Sequence, residues 1–242
     1  MTKSYENLTY FTFYSLKIAQ NKGMTKQRIS FLLKIATFLS AFFGVSLSLV
    51  FAKREGYFPY HKRLLYFTDQ SNLWIGVLFL SLLLCRNPSW KKRLYLLKYI
   101  FTVSITVTGL VFCCLLAPFA DESYTPWTLC NLFTHVFTPL LAIVDFFLDD
   151  YPIFISKTAV FASLLPPFCY LVEALLLETF YVDFGRGVPY PYFFLNYRSP
   201  AGVFGFSGEY PFFLGAFYWL ILFLLLVLGL ALFFARQKKK RR

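Results

Sequence analysis

The sequence predicts an all-α polytopic membrane protein, a bundle of six transmembrane helices, and three observations predict it. Hydrophobic residues make up 58% of the 242 positions and charged ones only 15%, a balance that a soluble domain cannot solvate. Six apolar runs are each long enough to cross a hydrocarbon core of roughly 30 Å at about 1.5 Å per helical residue. Aromatics reach 22%, with 32 Phe and 17 Tyr, as expected of lipid-facing rings and interfacial belts. The net charge of +12 does not indicate nucleic acid, because Lys and Arg sit as short clusters between the apolar runs and at the ends. There they set topology and touch anionic lipid head groups.

Residues 1–27 form a polar N-terminal segment, with Lys3, Lys17, Lys22 and Lys26 around an aromatic patch, Tyr10 to Tyr14, suited to a weak surface helix. Met24 is an alternative start. The six-helix domain is 28–235, and 236–242 is a basic tail. Span one, about 29–52, loosely matches a cleavage pattern at Val50 and Ala52 but is long enough to be a retained anchor. Span two, about 66–85, is polar at its start only. There Thr68, Ser71 and Asn72 share a face at i, i+3, i+4, and Asp69 borders it. Span three, about 94–116, carries a stripe of small residues, Thr102, Thr106, Gly109 and Cys113, that suits close helix packing.

Span four, Leu129 to Leu148, places Asn131, His135, Thr138 and Asp145 along one face, with Thr134 on its border. An Asp at mid-membrane costs about 2.5–3.5 kcal/mol, so this face turns into the bundle or a wet cavity. Span five, about 158–180, has a kink at Pro166-Pro167, followed by Tyr170 and Glu173 one turn apart. The Gly-, Pro- and aromatic-rich stretch 181–210 is too apolar for free solution and too broken to span, so it lies at the interface or dips in as a lid. Span six is about 211–235. The short segments on the N-terminal side hold most of the Lys and Arg, which predicts cytoplasmic termini.

The five cysteines form no CxxC pair and no cluster with His, so no metal and no other cofactor is expected. Buried free thiols are the ordinary reading, with a Cys113 or Cys114 to Cys130 disulfide as the alternative.

With this topology Thr68, His135 and Glu173 come to one depth in the outer leaflet. Such groups can merely bond one another, as most intramembrane hydroxyls and amides do. They can also catalyse. A hydroxyl attacks only when a base takes its proton, and a neutral imidazole is the usual base. Thr68 and His135 supply that pair, with Asp69 or Glu173 to orient the ring and Asn72 or Asn131 to donate to an oxyanion. Ser71 belongs to the same supporting set.

The segments YFTDQSNLW (66–74), ITVTGLVFCCLLAP (105–118), NLFTHVFTPLLAIVDFFL (131–148), PPFCYLVEALLL (166–177) and VPYPYFFLNY (188–197) carry a resemblance. Over about residues 30–235 the chain resembles the family of androgen-induced-gene and androgen-dependent TFPI-regulating proteins, six-span membrane hydrolases, and most of all its bacterial branch. The resemblance implies a multi-pass protein of a bacterial cell membrane. It also implies a threonine hydrolase of fatty acid esters, with Thr68 and His135 at the positions of the family's catalytic pair. The polar run Asp69-Gln70-Ser71-Asn72 and the long YPYFFLNY loop depart from the animal pattern, which bears on the substrate. The expected partners are membrane lipids and a lipid ester. Transport through a relay of Asp145 and Glu173, or acyl transfer using the same pair, are the alternative readings.

Overall fold

The computed structural model describes residues 2–120, 125–185 and 187–240, with side chains from residue 24 onward. The aromatic patch Tyr10 to Tyr14, the acids Asp121 and Glu122 of the loop before span four, and Arg186 lie outside the residues so described. Among the described residues six helices are long and apolar enough to cross a membrane. They are α1 (Thr2–Ala52, its span Met24–Ala52), α2 (Phe67–Leu84), α3 (Pro88–Leu116), α4 (Leu129–Leu148), α5 (Lys157–Thr179) and α6 (Ala216–Lys240). Among the described residues there is no strand, only one isolated bridge, Phe206 to Leu214.

The boundaries differ from the expected ones where local chemistry extends or breaks a helix. α3 begins at Pro88 and not near residue 94. The Asn87 side chain accepts from the N–H groups of Ser89 and Trp90, and Pro88 occupies the first turn, where its missing N–H costs nothing. Lys91, Lys92 and Arg93 are therefore helical. α5 breaks into Lys157–Ala162 and Leu165–Thr179, because Pro166 and Pro167 cannot donate to the preceding turn. α6 starts at Ala216, after a turn, and runs through Lys240, so residue 235 is not a structural boundary.

The core centres on α1, α2, α3 and α4, around Ala41, Ile75, Phe79, Val103, Ala142 and Phe146, and Val160 of α5 and Phe234 of α6 join it. Small residues let these backbones approach. A Cβ on Gly44 would lie 2.9 Å from Phe133 and Thr134, and one on Gly109 would lie 2.9 Å from the His135 carbonyl oxygen. The predicted small-residue stripe holds for Thr102, Thr106 and Gly109, which face inward; Cys113 is exposed. The reason is a π-helical turn, Phe112–Leu116, which advances the register and rotates the last residues away from the stripe. All five cysteines are free thiols. Outward lie large side chains such as Leu32, Leu84, Phe161 and Leu225, the surface that lipid covers.

At the end of the bundle away from the N-terminus of α2, charges are buried together. Lys34 of α1 reaches Asp145 (3.1 Å) and Asp149 (2.7 Å), and Lys98 of α3 reaches the same two acids at 2.5 and 2.8 Å. Ser30 also donates to Asp145. Lys238 of α6 donates to the carbonyls of Phe146 and Asp149, capping the end of α4. Buried charge survives in such a place only when paired and hydrogen-bonded, and this cluster pins α1, α3, α4 and α6 together.

Candidate functional site

The first turn of α2 starts the site. Its N-cap, Tyr66, gives no side-chain cap, so the N–H groups of Phe67 and Thr68 point out of the helix end unpaired by the ladder. A 3₁₀ turn, Tyr60–Leu65, brings Arg63 beneath this turn, where its Nε donates to Asp69 (3.2 Å). The same guanidinium reaches Glu55 (3.1 Å) and the Tyr57 hydroxyl (2.8 Å). Asp69 thus serves Arg63 and does not orient the imidazole.

On α4, the predicted polar face is buried at Asn131, Thr134, His135, Thr138 and Asp145. His135 sits within a π-helical turn, Phe133–Phe137, and its ring stacks on Phe112 with centroids 4.0 Å apart and planes 11° from parallel. Its Nδ1 is buried with no hydrogen-bond partner among the described residues. The opposing π-helical turns of α3 and α4 meet at this stack. Such turns add a residue to the helix, re-aim one side chain and recur at functional sites.

Asn72 ties the two halves. Its amide donates to the Thr68 carbonyl (2.8 Å) and across to the Thr134 carbonyl (3.0 Å). Ser71 bonds the Thr108 hydroxyl of α3 at 2.8 Å. The Asn131 amide donates to the Pro126 carbonyl at 2.9 Å. Neither Asn72 nor Asn131, the residues expected to donate to an oxyanion, lines the cavity described next. Glu173 also turns elsewhere, accepting from Gln70 at 2.9 and 3.0 Å.

Thr68 and His135 line one cavity of about 380 Å³. Its polar lining is Thr68, Thr108, His135, Tyr170 and Tyr192, and the rest is apolar, drawn largely from α5 and α6. Leu165, Phe168 and Leu224 line it while standing more than a third exposed on the outer surface, so the cavity reaches the lipid face between those helices. The loop before α6 folds over this cavity, inserting Tyr192 and Phe194 into its wall. The Tyr192 hydroxyl lies 3.4 Å from both Thr68 Oγ1 and Thr68 N. Burial pushes the Tyr192 phenol up to about 12, so it stays protonated near neutrality. No hydrogen bond links Thr68 to His135 among the described residues, and the Thr68 hydroxyl faces the phenol.

Thr108, Tyr170 and Tyr192 are the cavity residues that sequence reasoning passed over. Tyr170 carried a signal, one turn from Glu173 in an apolar span, whereas Tyr192 was one tyrosine among many. Among the described residues no group of three or more His, Cys, Asp or Glu side chains is placed to hold a metal. No family model, curated protein or solved structure matches the chain.

Proposed function

We propose that this chain is an intramembrane threonine hydrolase of lipid esters, with Thr68 as nucleophile and His135 as its general base. The observation that carries the reading is that Thr68 and His135 line one cavity, mostly apolar, whose wall includes the exposed Leu165, Phe168 and Leu224 of α5 and α6. An acyl chain enters from the bilayer and brings its ester to the polar end. The unpartnered Nδ1 is free to take a proton, and the ring is held by its stack on Phe112. The hydroxyl-to-imidazole bond forms in the substrate complex, as catalytic hydrogen bonds commonly tighten there. The proposal includes cytoplasmic termini, which put the site in the outer leaflet, and the bacterial cell membrane that the family resemblance implies. Asp145 is paired with two lysines at one end of the bundle and Glu173 is bonded by Gln70 at the other, an arrangement that favours the hydrolase reading over a relay between the two acids.

The test is covalent labelling of the purified protein by a fluorophosphonate bearing a long alkyl chain. Thr68→Ala is expected to abolish labelling, and His135→Ala to slow it by about 10²–10⁴-fold, the usual worth of a general base. A folded wild type that takes no label overturns the proposal.

A further inference from the structure

Tyr170 is a buried phenol, 5% exposed, in the wall of the cavity. Its Oη has no hydrogen-bond partner among the described residues, although the Phe67 backbone approaches it from the end of α2. Burying an O–H without an acceptor is costly, and such a group in a native cavity calls for an explanation. The ring itself is fixed. It lies 5.2 Å from Phe67 and 6.2 Å from Tyr192, centroid to centroid, which sets it beside the residues that flank Thr68. The Tyr192 oxygen is already engaged with Thr68, whereas the Tyr170 O–H has no acceptor among the described residues.

We infer that Tyr170 is the oxyanion donor of this site, an assignment that rests on the hydrolase reading. Thr68 Oγ bonds to the ester carbonyl carbon while its proton passes to His135. The carbonyl π pair moves onto the oxygen, and the Tyr170 O–H donates to that oxyanion. When the tetrahedral intermediate collapses, the bond to the alcohol oxygen breaks and the leaving alkoxide takes the proton from His135. Water then attacks the acyl-threonine by the same route and releases the fatty acid. A preformed donor, its ring fixed beside the first turn of α2, costs little reorganisation in a low-dielectric site, which is where such groups act most strongly.

The experiment uses the full chain in lipid nanodiscs, with 4-methylumbelliferyl oleate as substrate. Tyr170→Phe is expected to lower kcat about 10²-fold, the usual loss on removing one oxyanion donor, with KM within about threefold of wild type. A long-chain trifluoromethyl ketone, which becomes tetrahedral on the nucleophile, is expected to bind Tyr170→Phe at least tenfold more weakly. The matched methyl ketone is expected to bind both proteins equally. Unchanged kcat in Tyr170→Phe overturns the assignment while leaving Thr68 in place. Loss of methyl ketone binding as well shows a packing role and also overturns it. A wild type that neither hydrolyses the ester nor takes the fluorophosphonate label overturns the hydrolase reading together with this one.

Discussion

Glu173 accepts from the Gln70 amide through both carboxylate oxygens, while the Asn72 amide donates to the Thr68 carbonyl on its own helix and across to the Thr134 carbonyl of α4. The two residues should respond oppositely to substitution. Glu173→Gln keeps a group that can still bond Gln70 and touches nothing at His135, so ester turnover is expected to stay within about threefold of wild type. Asn72→Ala leaves two buried carbonyl contacts unmade, a cost of about 1–3 kcal/mol, and frees the segment carrying His135 from the segment carrying Thr68. Its turnover is expected to fall at least tenfold; equal turnover in the two variants would remove Asn72 from any positioning role. The sequence shows that Thr68, Ser71 and Asn72 share a face, because helical spacing is local. It does not show where the Asn72 amide points, since its second acceptor is 62 residues away and is a backbone atom. The same limit hid Tyr192, one of 17 tyrosines and distinguished only by the cavity it lines.

At the scale of the element, α3 and α4 meet through Gly109, whose position leaves a Cβ 2.9 Å from the His135 carbonyl oxygen and 3.2 Å from the Pro139 ring. The neighbour is backbone and cannot swing away. Gly109→Ala therefore has to push α4, and with it the π-helical turn that aims His135 at Phe112. We expect a loss of about 1–3 kcal/mol, the usual cost of overpacking, and a fall in fluorophosphonate labelling that exceeds any fall in folded fraction. Labelling at the wild-type rate would mean that α4 tolerates the shift and that the close approach serves packing only. The six spans were legible because apolar length is read directly from the chain. The π-helical turns were not, because a single extra residue in a turn leaves the hydrophobic pattern almost unchanged. The start of α3 had a readable signal in Asn87-Pro88, a cap followed by a first-turn proline. Lys34 and Lys98 carried one too. A lone lysine within an apolar run needs a buried acid, and Asp145 was already assigned to the bundle interior.

Over the whole molecule, the two ends of the bundle are held differently. One end is clamped by Lys34, Lys98 and Lys238 against Asp145, Asp149 and the end of α4, whereas the cavity end is closed by the loop before α6. That loop is fastened at its start by Lys62, whose Nζ lies 2.6 Å from Asp183, and by the Phe58 N–H bonding the Gly185 carbonyl at 2.7 Å. The Lys62 hydrogen bond, helped by the N–H groups of Gly185 and Gly187, holds the Asp183 carboxyl below the usual carboxylate range. A depressed folded value means that the ionised carboxylate favours the fastened loop. This contribution is complete above the unfolded value, near about 3.9, and is lost as pH falls through the folded value below it. The fastening is thus present at neutral pH and weakens only in acid. Hydrogen exchange of the backbone from 187 to 215 is expected to be protected at pH 7 in wild type and faster in Asp183→Asn. Once exchange is corrected for its intrinsic pH dependence, acidification should raise opening in wild type and leave the variant flat. Equal protection in the two proteins at pH 7 would show that the buried Tyr192 and Phe194 hold the loop without the ion pair.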